Sequence, residues 1–148
     1  MDGGLGQLLL NDGTGQFSAI EPAISGIEVP GDAKSLTLSD IDQDGRPDLV
    51  FGMNDAKTIT YLNRAGEKPL AVHLVSKPGN PTAIGARVEI GGQIQELQAG
   101  GGYLSQSAPI LYFSSPPDAV TASVRWPDGS LSEHPIDAGA MQAKLSQP

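Results

Sequence analysis

The stretch "SDIDQDGRPDLVFG", residues 39–52, decides how the first half of the chain is interpreted. Four aspartates fall within nine of its residues, a glycine stands among them, and an apolar run follows directly. Like charges placed this close together repel one another in water, so the crowding needs an interaction that offsets the repulsion. A cation bound between the carboxylates would supply that interaction.

The spacing of these residues suits calcium, which takes roughly six to eight oxygen ligands in a tight shell. The predicted ligands are the carboxylates of Asp40, Asp42, Asp44 and Asp48 and the backbone carbonyl of Arg46. Gly45 permits the sharp turn that brings such ligands round to one point. Because four carboxylates repel one another until a divalent ion neutralises them, we expect metal binding and loop folding to be coupled.

An EF-hand is excluded, although its first ligand positions look similar. That motif needs a glutamate at its twelfth position and helices on both sides, whereas Phe51 stands at this position here and Pro47 discourages a helix. The stretch therefore predicts a calcium loop flanked by strands. Two alternatives are an acidic surface turn without an ion and a magnesium site, and magnesium suits the loop less because it demands near-octahedral geometry.

The composition indicates an all-β fold. Hydrophobic residues make up 39% of the chain but aromatic residues only 5%, so the core must be built mostly from Leu, Ile, Val and Ala. The 19 glycines and 12 prolines are spread between short apolar runs, which predicts many turns and short strands. A length of 148 residues is enough for one ordinary domain or two small ones.

The first part of the chain has the pattern of short antiparallel strands. "GQLLLNDGTGQFS" (6–18) predicts a strand, a tight turn and the start of a second strand. Three further apolar runs, at residues 36–38, 49–51 and 59–62, predict a meander of short antiparallel strands.

A polar segment that ends in proline, "NRAGEKP" (63–69), marks a boundary. We therefore expect a first unit, which carries the calcium loop, over residues 1–66. A second β domain, a small sandwich or a barrel-like unit, is expected over residues 67–148.

Two hairpins organise this second part, one around residues 91–92 and one around residues 127–129. The strand before the second turn should place four side chains on one face, namely Val120, Ala122, Val124 and Trp126. Only the segment 137–145 has a helical pattern.

The charge and the cysteine count exclude several classes of protein. A formal net charge of −8, concentrated in residues 1–68, argues against nucleic acid as a partner, because an acidic surface repels phosphates. The absence of cysteine excludes disulfides and thiolate metal sites. No apolar stretch approaches the roughly 18 residues of a membrane span, so none is expected. "MDGGLGQLLL" lacks the basic start and long apolar segment of a signal peptide, and we expect a targeting signal upstream of this sequence.

The segment "LSDIDQDGRPDLVFG" (38–52) resembles the FG-GAP/VCBS repeat of β-propellers, which occurs in integrin α-subunits and many bacterial surface proteins. "LLLNDGTGQF" (8–17) is similar to the end of a preceding repeat, and the resemblance covers about residues 5–64. It implies that the aspartate loop binds Ca²⁺ through the five ligands named above. The resemblance makes residues 1–66 one and a half repeats, which form a partial propeller-like blade. One and a half repeats cannot close a ring, so either further propeller repeats lie upstream or the blade packs on the second part instead.

Three runs of the second part resemble the ASPIC/UnbV domain, over roughly residues 70–135. They are "IGARV" (84–88), "GYLSQS" (102–107) and "VRWPDG" (124–129), and they occur in order. This domain commonly follows VCBS repeats, as in the cartilage acidic protein family. Members usually carry a Phe-Gly-Leu-Gly-like stretch where this chain has "SSPP" (114–117). The resemblance implies an architecture and an extracytoplasmic setting, while the molecular activity of the family is poorly defined.

No catalytic motif is present in the sequence. His73 and His134 lie in or beside strands, where an exposed or hydrogen-bonded histidine is commoner than a catalytic one. No nucleophile elbow occurs, and "AGGGY" (99–103) lacks the lysine and hydroxyl residue of a phosphate loop. Arg87 and Arg125 either meet across strands to bind an anion or sugar carboxylate, or pair with nearby glutamates.

The aromatic side chains leave two interpretations open. Trp126 is either a platform on which a sugar stacks or an anchor in the core, and its phase with the apolar residues of its strand favours the core. Tyr103 and Gln106 are either ligand contacts or part of the turn and sheet packing, and packing is favoured.

These observations lead to one hypothesis and two alternatives. The hypothesis is a non-enzymatic, calcium-stabilised module of an extracytoplasmic protein, for adhesion or for recognition of a protein or carbohydrate ligand. The first alternative is a carbohydrate-binding module that uses Trp126, Tyr103 and Arg125, and it predicts an exposed aromatic face. The second is an accessory fragment of a larger enzyme with its active site upstream, and it predicts no pocket with paired titratable groups here.

Overall fold

The computed structural model describes residues 6–148. Its elements are β1 (Leu8–Asn11), β2 (Phe17–Ile20), α1 (Pro22–Ser25), β3 (Ala33–Ser39), β4 (Asp48–Met53), β5 (Ile59–Tyr61), β6 (Leu70–Val75), β7 (Arg87–Ile90), β8 (Gln93–Glu96), β9 (Ile110–Phe113), β10 (Val120–Arg125), β11 (Leu131–Ile136) and β12 (Gln142–Ser146). The single helix is one turn long and begins with a proline. The predicted all-β fold is confirmed.

The first two strands form an isolated antiparallel hairpin, as the sequence predicts. Its turn is closed by the Asn11 side chain, which accepts hydrogen bonds from the backbone N–H groups of Gly13 (3.0 Å) and Gly15 (3.2 Å). The apolar side chains of this hairpin are largely exposed, and Phe17 retains 62% of its accessible surface. Local turn chemistry rather than a core therefore defines the hairpin.

The predicted meander is confirmed as the three-stranded antiparallel sheet β3-β4-β5. Cross-strand pairing places six apolar side chains on one face, in the rows Leu36–Phe51–Ile59 and Leu38–Leu49–Tyr61. Leu36 and Leu38 remain 45% and 37% exposed. Before residue 70, Val29 is the only fully buried apolar residue among those that the structure describes.

The second part is a sandwich of two open sheets, which resolves the choice between a sandwich and a barrel. One sheet has the order β11-β10-β7-β8 and the other the order β12-β6-β9. Their facing sides enclose fifteen buried hydrophobic residues, including Trp126, Phe113 and Leu70. Val120, Ala122, Val124 and Trp126 share the inner face, as predicted from their spacing.

The helical expectation for residues 137–145 is wrong. The segment turns at Gly139 and continues as β12, which pairs in parallel with β6. Leu145 and Ala143 face the core while Gln142 and Lys144 face outward, an alternation that a strand beside β6 can satisfy.

Two connections join the parts. Residues 62–69 run from β5 to β6 without a strand, and the predicted boundary at residues 66 and 67 falls within them. The segment 106–108, which leads into β9, lies along the edge strand β3. There the Ala108 N–H donates to the Leu38 carbonyl (3.0 Å), and the Leu38 N–H donates to the Ser107 hydroxyl (3.1 Å).

Candidate metal loop

The aspartate loop is held at its two ends by the pairing of β3 with β4. Ser39, the last residue of β3, lies opposite Asp48, the first residue of β4, so the intervening residues form a tight loop at one end of the sheet. This register brings Asp40 and Asp48 to the base of the same loop. The strand-flanked arrangement expected from the sequence is therefore present.

Asp48 is fully buried, and it is the only buried charged residue in the part of the chain that the structure describes. Its two carboxylate oxygens accept hydrogen bonds from the backbone N–H groups of Ile41 (2.7 Å) and Asn63 (2.8 Å). These donors offset part of the cost of removing a carboxylate from water. Asp48 thereby ties the start of the loop to the connection that follows β5.

Asp40 organises the turn of the loop from within. One of its oxygens accepts from the Asp44 N–H (3.0 Å) and the other from the Gly45 N–H (2.9 Å). Gly45 has a φ of +91°, a conformation that side-chain-bearing residues rarely adopt, so the glycine is required by the backbone. The Lys68 side chain lies beside this glycine, at ordinary contact distance from the position that a Cβ atom would take.

Three of the predicted carboxylates converge. Asp40, Asp42 and Asp48 each offer an oxygen atom, and these atoms lie within 4.8 Å of one another. Asp42 also forms an ion pair with Arg64, at 3.3 Å. Three converging carboxylate oxygens are the hard donors that Ca²⁺ prefers, and they leave part of a six- to eight-oxygen shell for backbone oxygens or water. The donor set therefore fits the ion.

The Asp44 carboxylate pairs with Arg46 and is not part of the converging group. This carboxylate accepts from the Arg46 backbone N–H (2.9 Å) and pairs with the Arg46 guanidinium (2.8 Å). The pKa of Asp44 is lowered below its usual value mainly by the hydrogen bond from the Arg46 backbone N–H, and the Arg46 guanidinium lowers it further. Ligation by Asp44 and by the Arg46 carbonyl thus stays a prediction, because the group of converging carboxylates does not include Asp44.

The carbohydrate-binding alternative is weakened, because the main aromatic side chain on which it depends is buried. Trp126 is 1% exposed, and its indole N–H donates to the Ser132 hydroxyl (2.7 Å), so it is a core anchor rather than a stacking platform. Tyr103 is 72% exposed and not packed. Gln106 holds the preceding turn through hydrogen bonds with the Gly100 N–H and the Gln98 carbonyl.

Arg87 and Arg125 do meet across strands. They lie opposite each other in the β7–β10 pairing, and both are exposed on the outer face of that sheet. Within residues 6–148, neither guanidinium is within 4 Å of a carboxylate oxygen, so the expected pairing with glutamates is not formed. Glu89 and Glu133 occupy the next row of the same face.

The two histidines have ordinary strand environments. His73 is exposed on the outer face of β6. His134 is half-buried, with its Nε2 atom 2.8 Å from the Ser132 hydroxyl and its ring edge-on to Trp126 at 6.4 Å. Neither histidine lies within hydrogen-bond distance of a carboxylate among the described residues.

Three residues that contact the loop were not expected from the sequence. They are Asn63, Arg64 and Lys68, and all three come from the connection between the parts. The signal for them was their place in the polar segment that marks the predicted boundary.

A meander of three strands that carries an aspartate loop, followed by a seven-stranded sandwich, defines a propeller-type repeat joined to a second β domain. The comparisons with known families agree with this class. The FG-GAP-like repeat model matches residues 2–51, and the ASPIC and UnbV model matches residues 76–143. Each match falls on the part of the chain whose motifs resemble that family, so the two resemblances stated from the sequence are confirmed.

No curated protein matches the chain. Among the described residues, no helix has the length and apolar character needed to cross a membrane.

Proposed function

We propose that this chain is a non-enzymatic, calcium-stabilised module that works outside the cytoplasm in adhesion or ligand recognition. The convergence of the Asp40, Asp42 and Asp48 carboxylates within 4.8 Å carries the proposal. Three negative charges at this distance repel strongly, and one of them is fully buried, so a divalent cation would offset a real cost. FG-GAP repeats often bind Ca²⁺, which supports the choice of ion.

The role of the ion in this proposal is structural. Calcium neutralises the loop and thereby holds the ends of β3 and β4 together. Extracellular modules bind calcium with dissociation constants of about 10⁻⁴ to 10⁻³ M, which suits an exposed loop of this kind. FG-GAP repeat proteins are typically extracellular, and this supports an extracytoplasmic location, with a targeting signal and further propeller repeats upstream.

The ligand we propose is a protein, since FG-GAP repeats are typical of protein-interaction modules. Carbohydrate recognition remains the second candidate, carried by the exposed side chains of Tyr103 and Arg125. It is weaker than the sequence suggested, because the buried Trp126 removes the aromatic platform. The other alternative is an accessory fragment of a larger enzyme, and it places the catalytic site in another part of a longer protein.

The thermal melt of the chain tests the calcium site. We expect the midpoint to rise in millimolar Ca²⁺ relative to excess chelator, and to rise less in Mg²⁺, because magnesium keeps its waters and demands octahedral geometry. The Asp42→Asn variant should lose most of this rise. Asp42 is suited to the test because it donates charge to the cluster without the buried backbone hydrogen bonds of Asp48.

Asp118→Asn is the matched control, since it makes the same change of charge at an exposed position in the loop before β10. It should respond to Ca²⁺ as the wild-type chain does. A midpoint that is indifferent to Ca²⁺ in the wild-type chain would refute the calcium site.

A further inference from the structure

Two arginines of the sandwich lie side by side without a carboxylate against them. Arg87 of β7 and Arg125 of β10 are opposite each other in the strand register, and both are exposed on the outer face of the sheet. Like charges placed directly opposite each other across two strands repel and weaken the pairing. The chain has four arginines, and the other two, Arg46 and Arg64, form ion pairs with aspartates of the loop. Among the described residues, only Arg87 and Arg125 are therefore arginines that lack an ion pair.

The surface around this arginine pair is concave. Both arginines line an open depression of about 290 Å³, together with Glu89, Leu131 and Glu133. Both also line a second depression, of about 220 Å³, beside the turn at residues 127–129. Pockets for small ligands have volumes of about 300–1,000 Å³, so the first depression lies near the lower end of that range. It suits a small ligand that reaches both guanidinium groups.

A single carboxylate is the anion that best matches the pair. The guanidinium group is planar and always charged, and it binds a carboxylate through two parallel hydrogen bonds. A polyanion matches poorly, because the chain has a net charge of −8 and exposed glutamates lie in the rows beside the arginines, namely Glu89, Glu96 and Glu133. A phosphate monoester carries about 1.5 to 2 charges and is disfavoured for the same reason. The site therefore suits a ligand with one negative charge.

The neighbouring side chains match the rest of a sugar. Glu89 and Glu133 are exposed in the row next to the arginines, on either side of Ser123. Ionised carboxylates only accept hydrogen bonds, so they suit a ligand whose own carboxylate is surrounded by hydroxyl donors. Leu131, opposite Arg125 and 75% exposed, offers an apolar contact for the C–H groups of a ring. An acidic peptide, in contrast, would bring further carboxylates towards the glutamates.

We propose that Arg87 and Arg125 form a binding site for the carboxylate of an acidic sugar, on the outer face of the sandwich. Glu89 and Glu133 accept hydrogen bonds from the hydroxyls of the sugar, and Leu131 packs against its ring. This site rests on the carbohydrate candidate named under the proposed function and gives it a chemical class of ligand. It requires nothing of the aspartate loop, so it is independent of the calcium site.

An NMR titration of the whole chain in calcium-free buffer tests the site. The probe is D-glucuronate, D-glucose is the matched sugar without a carboxylate, and acetate is a carboxylate without a ring. The Nε–H signals of Arg87 and Arg125 report binding directly. We expect glucuronate to shift both signals and to bind roughly tenfold or more tightly than glucose, since hydrogen bonds to a charged group contribute at least this factor. Glucuronate should also bind more tightly than acetate.

Substitution of the arginines tests their role. Arg87→Gln and Arg125→Gln should each weaken glucuronate binding roughly tenfold or more. Arg87→Lys keeps the charge but loses the planar fork, so it should also weaken binding. Lys144→Gln is the matched control, because it removes an exposed cation from the outward side of the other sheet. It should bind glucuronate as the wild-type chain does.

Glu133→Ala separates recognition of the sugar from recognition of the carboxylate. Removal of this negative charge acts on the carboxylates of glucuronate and acetate alike, so only a lost contact with a hydroxyl changes the ratio of their affinities. We expect the affinity for glucuronate to fall relative to that for acetate. An unchanged ratio would refute the contact between Glu133 and the sugar.

The other outcomes separate this site from the proposed function. If acetate binds the wild-type chain as tightly as glucuronate, the pair is a general carboxylate contact and the acidic sugar is refuted. If glucose binds as tightly as glucuronate, or the Arg→Gln variants bind as the wild type does, the arginine site is refuted. Each of these results leaves the calcium site and a protein ligand in place. A melting midpoint that is indifferent to Ca²⁺ removes the calcium site and leaves the arginine site in place.

Discussion

The two parts of this molecule are stabilised in different ways. The sandwich encloses fifteen buried apolar residues between its sheets. Residues 6–66 contain one fully buried apolar residue, Val29, and one fully buried charged residue, Asp48. Their other apolar side chains are half-buried or exposed, on one face of the meander and on the hairpin.

The difference shows what each part depends on. Burial of apolar surface is the main favourable term in folding, so the sandwich has its own source of stability. The blade has little buried apolar surface. It relies on backbone pairing, on hydrogen bonds to the buried Asp48 carboxylate, and on contacts with the connection and with the segment 106–108. A cation bound at the aspartate loop would act where these polar interactions of the blade are concentrated.

Truncating one phenylalanine in each part gives the sharpest test of this difference in stabilisation. Phe113→Ala removes a 1% exposed side chain from the sandwich core and should lower the free energy of unfolding by about 3–5 kcal/mol. Phe17→Ala truncates a 62% exposed side chain of the hairpin and should change it by less than about 0.5 kcal/mol. Urea unfolding of both variants measures the two values, and equal effects would contradict the comparison.

Asp48→Asn tests the polar stabilisation of the blade. The amide can present only one oxygen to the two backbone N–H groups that Asp48 binds, so one donor is left without a partner. We expect a loss of about 1–3 kcal/mol in the local stability of β3 and β4. Amide exchange in excess chelator measures this without a contribution from calcium.

The sandwich provides the reference for the exchange experiment on Asp48→Asn. The amides of β7 and β10 belong to the sandwich and should keep their exchange rates in Asp48→Asn. Uniformly faster exchange in both parts would show that the two parts unfold together, and would overturn the view that they are stabilised separately.

The smallest expected effect concerns a surface carboxylate of the sandwich. Hydrogen bonds from the Ser130 hydroxyl and backbone N–H, together with Lys77, lower the pKa of Asp128 to about 2. The folded pKa thus lies below the unfolded value of about 3.9, so Asp128 stabilises the fold above pH ~4 and the contribution is lost as the pH falls towards 2. Asp128→Asn should lower the melting midpoint slightly at pH 6.

Lowering the pH checks the sign of this effect. The difference in midpoint between the wild-type chain and Asp128→Asn should shrink between pH 4 and pH 2. A difference that stays constant over this range would show that the ionised carboxylate contributes nothing.

Elements defined by local signals were predictable from the sequence. The meander, both hairpins of the sandwich and the inner face of β10 follow from alternating apolar residues and turn-forming residues, which act over a few positions. The strand β12 was missed because its partner β6 is about seventy residues away, and a short segment with glycine and alanine has no strong local preference.

The candidate site was predictable in its ligand type but not in its detail. Asp40 and Asp44 both occupy alternate positions of the aspartate pattern, so the sequence predicts the same role for them. In the structure, Asp44 instead forms an ion pair with Arg46, and the spacing of the aspartates does not predict this ion pair.

The parallel pairing of β12 with β6 also constrains the order of folding during synthesis. β6 is the central strand of its sheet, and one of its two neighbours is supplied by residues 142–146. The sheet therefore stays incomplete until those residues have left the ribosome, whereas the β3–β4 pair and the aspartate loop are made long before. In a nascent chain the aspartate loop can thus form before the sandwich is complete.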